Sequence, residues 1–209
     1  MKGLLSFKHG VHPPENKDIT AGMASQRFPF PKEIVLPLSQ HIGTPAEALV
    51  APGDRVERGD VIAKAAGFIS SAVHATAAGT VKSIELWPHP SGTMVPSIRI
   101  DVDPNSSQMQ RPRIVPRWQE VADVDLSKEI ARAGIVGLGG AAFPSHVKLC
   151  PPKDQPVELL LVNGCECEPY LTSDHRVMLE QPEKVYEGIR IELKALGISR
   201  AVIGIEVNK

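Results

Sequence analysis

Apolar and polar positions follow different rhythms in the two halves of the chain. In the first half, branched apolar residues recur every six positions at Val50, Val56 and Ile62, and Gly53-Asp54 and Gly59-Asp60 follow the first two three residues on. Glycine supplies the positive φ of a tight turn and aspartate bonds the adjoining backbone, so each pair kinks or reverses a short strand. Ala77-Ala78-Gly79-Thr80-Val81-Lys82-Ser83-Ile84 passes from small residues through a glycine into alternation, and Ser97-Ile98-Arg99-Ile100-Asp101-Val102 alternates throughout. Both predict half-buried strands. The prolines are concentrated in the first 120 residues, which disfavours long helices there.

Helical periodicity appears after Asp125. Asp125-Leu126-Ser127-Lys128-Glu129 opens a short helix, with Asp or Ser as its cap, Ile130 and Ala133 inward, and Gly134 at its end. Glu158-Leu159-Leu160-Leu161-Val162 suits a buried parallel strand. Pro182 and Glu183 open a second helix with Val185, Ile189, Leu193 and Leu196 at helical spacing and Gly197 as its cap, before the strand Ala201-Val202-Ile203-Gly204-Ile205. Strand, loop, helix and strand predict a right-handed parallel crossover. Residues 103–124 hold turn and linker residues without a period, so the expected division is a β domain at 1–110, a linker at 111–124 and an α/β segment at 125–209.

Composition narrows the function. Lys plus Arg number 23 against 24 Asp plus Glu, a net charge of −1, which argues against a nucleic-acid footprint. Apolar content of 42%, charged content of 22% and a mean hydropathy of −0.08 fit an ordinary globular chain. No apolar run approaches the ~20 residues of a membrane span. Residues 1–8 lack the apolar stretch of a secretory signal. Three cysteines make no disulfide framework, which favours a reducing cytoplasm, and cannot complete a four-cysteine cluster.

Candidate chemistry lies in two segments. Gly137-Leu138-Gly139-Gly140-Ala141-Ala142-Phe143-Pro144 leaves the backbone almost unobstructed, so a flat or anionic ligand could lie against bare amides. The turn at Pro144 could aim N–H groups at a phosphate, with Lys148 adding positive charge. The alternative is a flexible connection packed on a neighbour. Asn163-Gly164-Cys165-Glu166-Cys167-Glu168-Pro169-Tyr170 leaves the carboxyl end of the apolar strand, where open α/β sheets place ligands. Asn163, Glu166 and Glu168 could bond ribityl or ribose hydroxyls, against the alternative of a solvated acidic turn. The glycine loop precedes its strand, so this is not the usual dinucleotide fingerprint. Cys165-x-Cys167 reads as ordinary thiols, and His9-x-x-His12 beside Pro13-Pro14 as a structural loop without metal.

Residues 33–102 resemble the barrel-sandwich fold of lipoyl and biotinyl carriers. Phe68 stands where those carriers place the modified lysine, and Lys64 and Lys82 fall off the tip. The resemblance implies a structural or docking module with no lipoyl or biotin attachment. Gly137 to Pro144, Lys148 and Asn163 to Pro169 are similar to the FMN-binding region of the flavin subunit of respiratory complex I. Together with the opening Phe7-Lys8-His9-Gly10-Val11-His12-Pro13-Pro14, they are closer still to the RnfC family of the Rnf electron-transport complexes.

That resemblance implies a barrel-sandwich hybrid followed by the start of a Rossmann-like α/β FMN-binding domain. FMN would be held by Gly137, Gly139, Gly140, Ala141 and Ala142, with Asn163 and Glu166 near the flavin. Phe143, Lys148 and Glu168 would lie towards NADH, the substrate. These are positioning residues, with no catalytic acid or base and no metal ligand. Ala142 stands where the complex I pattern has glycine, and Cys165 where it has aspartate. The family continues with two [4Fe–4S] clusters absent from these residues, so the chain is expected to be a fragment. It would work with other Rnf subunits, peripherally, at the cytoplasmic membrane face. Two alternatives remain: a docking fragment without flavin, and a flavoprotein of the cobalamin-reductase type, whose members lack this N-terminal module.

Overall fold

The computed structural model describes residues 11, 13–109, 117–152 and 154–207. Residues 7–10 and His12 of the opening motif, the paired histidines included, lie outside them, as does most of the expected linker. Contacts group the chain into two compact units. One holds Met1–Arg27, Leu159–Arg190 and Arg200–Lys209; the other holds Phe28–Glu158 and Ile191–Ser199. This departs from the expected division. The N-terminal stretch groups with the α/β segment, and the glycine loop groups with the barrel.

The barrel unit contains β1 (Glu33–Pro37), β2 (Glu47–Ala48), β3 (Arg55–Val56), β4 (Val61–Lys64), β5 (Val73–His74), β6 (Gly79–Pro88) and β7 (Met94–Val102). They form two antiparallel sheets, β1-β7-β6-β3 and β2-β4-β5. Their shared core contains Leu36, Val56, Ile62, Val81, Ile98 and Ile100. Full burial of each such large aliphatic stabilises the fold by about 1.5–3 kcal/mol.

The two Gly-Asp pairs build matching turns. Gly53 and Gly59 have φ of 96° and 95°, and Asp54 and Asp60 accept the N–H of Ala51 and Glu57, each at 2.8 Å. Gly53 then donates to Val81, whose N–H returns to Asp54, while Gly59 donates to Ala75, whose N–H returns to Asp60. A six-residue step forward at the turns meets a six-residue step backward at their partners. This is the pattern of two inverted halves.

On the solvent face of the larger sheet, Arg99 donates to Glu33 and Glu85 at 2.6 Å and lies 4.4 Å above the Trp87 ring. Lys82 reaches Glu33 at 2.9 Å. Hydrogen bonds from Arg99 and Lys82 hold the Glu33 carboxyl down at a pKa of about 2.

The first long helix after the barrel, α2 (Asp123–Arg132), starts two residues earlier than expected, and Ala122 at its N-cap makes no side-chain cap bond. Leu126 is its buried anchor, whereas Ala133, expected inward, is exposed. Gly134 ends it with φ of 71°. A side chain there would meet the Ala72 carbonyl at 2.6 Å, so glycine lets the helix end lie against the barrel.

In the other unit, a short helix α1 (Asp18–Ala21) precedes β8 (Leu160–Asn163), α4 (Ser173–Glu180), α5 (Pro182–Leu196, of which Pro182 to Arg190 group here) and β9 (Ala201–Gly204). Strands β8 and β9 pair in parallel, with Leu161 opposite Val202. Both alternate rather than being buried on two faces: Leu161 is 71% and Val202 50% exposed. Helix α4 was not foreseen; its eight residues lack a side-chain cap and hold no buried residue.

Candidate functional site

The glycine loop is a pinched excursion. Val136 and Pro144 form an antiparallel bridge, Gly137 donates to the Phe143 carbonyl at 2.8 Å, and Ser145 donates to Ile135 at 3.0 Å. Residues 138–142 project beyond this neck, with Leu138 90% exposed. A Cβ on Gly139 or Gly140 would find nothing within 4 Å, whereas one on Gly137 would lie 2.6 Å from Nζ of Lys148. Gly140 and Ala142 have φ of 65° and 44°, so Ala142 holds the left-handed geometry that glycine adopts most easily.

Lys148 Nζ also lies 6.0 Å from the centroid of the Phe143 ring. Gly137, Phe143 and Lys148 therefore meet at the neck, and the bare backbone of Gly139 and Gly140 extends from it. Glu192 lies in the same electrostatic neighbourhood; burial raises its carboxyl pKa and the Lys148 charge opposes the rise. The helix after the neck, α3 (Ser145–Lys148), has four residues. Its Ser145 and Val147 N–H groups are engaged by Ile135 and Pro144, so those two are not the phosphate donors expected at Pro144.

The barrel supports this loop directly. Ile42 donates to the Ala141 carbonyl at 3.1 Å. His146 Nε2 lies 3.0 Å from the Phe68 carbonyl, and the two rings meet edge-on at 6.2 Å. Phe68, at the place of a carrier's modified lysine, is thus a contact of the segment behind the glycine loop.

The acidic turn belongs to the other unit. Asn163, Cys165 and Cys167 are exposed while Gly164 and Glu166 are buried, a strand-like alternation carried past the end of β8. Asn163 Oδ1 accepts the Cys165 N–H at 3.0 Å. Glu166 is 2% exposed, and its carboxylate accepts the Ser173 hydroxyl at 3.0 Å and the Asp174 N–H at 2.9 Å. It caps the start of α4, a role consistent with the positive end of a helix. Its main-chain carbonyl accepts a hydrogen bond from Lys17 Nζ. Glu168 is exposed.

Two expected residues thus differ in kind: Glu168 is free to meet a ligand, whereas Glu166 holds its own loop. Lys17 and His146 were not anticipated. Their partners lie 149 and 78 residues away, and local pattern carries no signal of that pairing. All three cysteines are exposed and reduced, and no group of three or more metal-ligating side chains occurs among the described residues.

The surroundings of the glycine loop fit an FMN. Its backbone is open where a planar ring would lie, and a cation stands beside it for the phosphate end. Residues 130–209 match the Nuo51 FMN-binding domain, and residues 5–105 match the RnfC barrel sandwich hybrid domain. The chain belongs to the RnfC family. It is 41% identical over 206 residues to the RnfC-type subunit of the proton-translocating ferredoxin:NAD(+) oxidoreductase complex of Clostridium ljungdahlii, covering 99% of this chain and 45% of that protein. It is 42% identical to the Na(+)-translocating counterpart of Acetobacterium woodii, covering 98% and 46%. The corresponding subunit of the ion-translocating oxidoreductase complex of Rhodobacter capsulatus is 41% identical, with 98% and 40% covered. The chain spans less than half the length of these RnfC relatives.

Proposed function

We propose that this RnfC-family chain holds FMN on its glycine loop and serves, within a longer protein, as the NADH-linked subunit of an ion-translocating electron-transport complex. The observation that carries the reading is the open backbone of Gly139 and Gly140 beside the Lys148 ammonium. The match to an FMN-binding domain and the names of the relatives support it.

In this reading Gly139, Gly140, Ala141 and Ala142 offer main-chain surface to the ring. Gly137 leaves room for the Lys148 amine, which draws the phosphate. Asn163 presents hydrogen-bonding groups for hydroxyls, Phe143 and Glu168 face the dinucleotide, and Glu166 fixes the turn that carries Glu168. A bound FMN would take two electrons from a reduced nicotinamide and release them singly to iron–sulfur centres supplied outside these residues. The chain's own residues bind and orient; none has to donate or remove a proton. β8, α4, α5 and β9 are read as the opening of a Rossmann-like flavin domain.

No helix among the described residues is long and apolar enough to cross a membrane. We place the chain peripherally at the cytoplasmic face, against other Rnf subunits. The barrel acts there as a support for the glycine loop rather than as a lipoyl or biotin carrier.

Titration of the purified chain with FMN tests the reading. Quenching of flavin fluorescence with a shifted visible spectrum is expected. A chain that leaves FMN fluorescence unchanged at saturating protein would instead favour a docking role without flavin.

A further inference from the structure

Lys17 is 8% exposed although it belongs to a segment whose neighbours Asn16 and Asp18 are largely open to solvent. Its ammonium donates to the main-chain carbonyls of Glu166 and Leu171, the latter at 2.8 Å. Those carbonyls bracket the loop that carries Cys167, Glu168, Pro169 and Tyr170, so one cation closes the loop at both ends. The same segment adds three further bonds. The Glu15 carbonyl accepts the Tyr170 N–H at 2.8 Å, Thr20 Oγ1 donates to the Tyr170 carbonyl at 3.3 Å, and Thr172 Oγ1 donates to Thr20 Oγ1 at 2.9 Å. Tyr170 sits at φ of 68°, a conformation costly for a non-glycine residue unless its surroundings impose it.

A buried ammonium with main-chain oxygens as acceptors is costly to remove, because those oxygens would remain out of water without a donor. The arrangement is specific to this loop. From this geometry we infer that residues 15–20 are a clip that presets the 166–171 loop, with Lys17 as the positioning residue that aims Glu168 at the nucleotide ligand. The inference deepens the flavin and dinucleotide reading above and rests on it. Lys17 itself touches no ligand; it acts through the loop.

The test uses the intact chain carrying Lys17→Met, which keeps length and removes the donors, and Lys17→Gln, which keeps an N–H donor. Two quantities are read in each: the alkylation rate of Cys167, resolved by peptide mass, and the affinity for FMN or for NADH added to the FMN-loaded chain. Lys17→Met should speed Cys167 alkylation at least tenfold and weaken nucleotide binding by a similar factor, while Cys150 alkylation stays unchanged. Lys17→Gln should fall between Lys17→Met and the unaltered chain. Should Lys17→Met not fold, Lys17→Gln carries the test alone against the unaltered chain. An unchanged Cys167 rate in a folded variant would overturn the clip. A faster rate with unaltered nucleotide affinity would overturn the positioning role. Failure of the unaltered chain to bind FMN would overturn the flavin reading instead, and the alkylation rates would still decide the clip.

Discussion

Gly137 and Lys148 share one space: a Cβ on the glycine would begin 2.6 Å from the lysine Nζ. The obstacle is the far end of a flexible side chain, so Gly137→Ala should shift the amine rather than the backbone. Its stability should stay within about 0.5 kcal/mol of the unaltered chain. Hydrogen bonds to charged groups contribute roughly 1.5–3 kcal/mol, so FMN affinity should fall about tenfold or more in Gly137→Ala and in Lys148→Met. Thermal melting and flavin titration, run on the same samples, separate the two effects.

Ala142 holds φ of 44° where the complex I pattern has glycine. Left-handed geometry costs an L-residue roughly 1–2 kcal/mol, and glycine costs about 0.5–1 kcal/mol more in chain entropy than alanine. Ala142→Gly should therefore stabilise the chain slightly, by about 0.5 kcal/mol, and retain FMN. A clear fall in melting temperature would show that the loop geometry is not the one described.

The two acids of the turn should respond differently. Glu166→Ala removes the acceptor of the Ser173 hydroxyl and Asp174 N–H, and loss of such a cap costs about 0.5–2 kcal/mol. Glu168→Gln, on an exposed residue, should leave melting unchanged and weaken dinucleotide binding to the FMN-loaded protein. The reverse pattern would exchange their roles.

Legibility from sequence tracked how local each cause was. The Gly53-Asp54 and Gly59-Asp60 turns were readable because glycine and aspartate act within four residues, and the β8–β9 pair and α5 because their apolar spacing is local. Gly134 and Gly197, expected as helix ends, have φ of 71° and 67°. Helix α4 escaped because its start is capped by Glu166, seven residues before Ser173, and not by its own first residue. Glu166 itself looked like a ligand group, because an acidic side chain in a turn gives no sign of which way it faces. The clip at Lys17 and the contact of His146 with Phe68 depend on tertiary placement alone.

Acid should act on the barrel through Glu33. Its folded pKa of about 2 lies below its ordinary value of 4.5, so the folded state binds that proton less readily than the unfolded chain. The stabilisation is complete above about pH 4.5 and is lost as pH falls towards 2. Trp87, stacked on Arg99, reports the loss by fluorescence. Glu33→Gln should remove much of the pH dependence in that window, and an unchanged acid profile would contradict the assignment.

Gly139 offers the most direct test of the flavin loop. A side chain there meets nothing within 4 Å of the chain, and its φ lies outside the left-handed range, so Gly139→Val should fold and melt like the unaltered protein. The decisive measurement is the FMN dissociation constant of Gly139→Val against the unaltered chain, by flavin fluorescence. Loss of at least tenfold in affinity without loss of stability is expected if FMN lies on the loop backbone. Equal affinity in a folded Gly139→Val would place the flavin elsewhere.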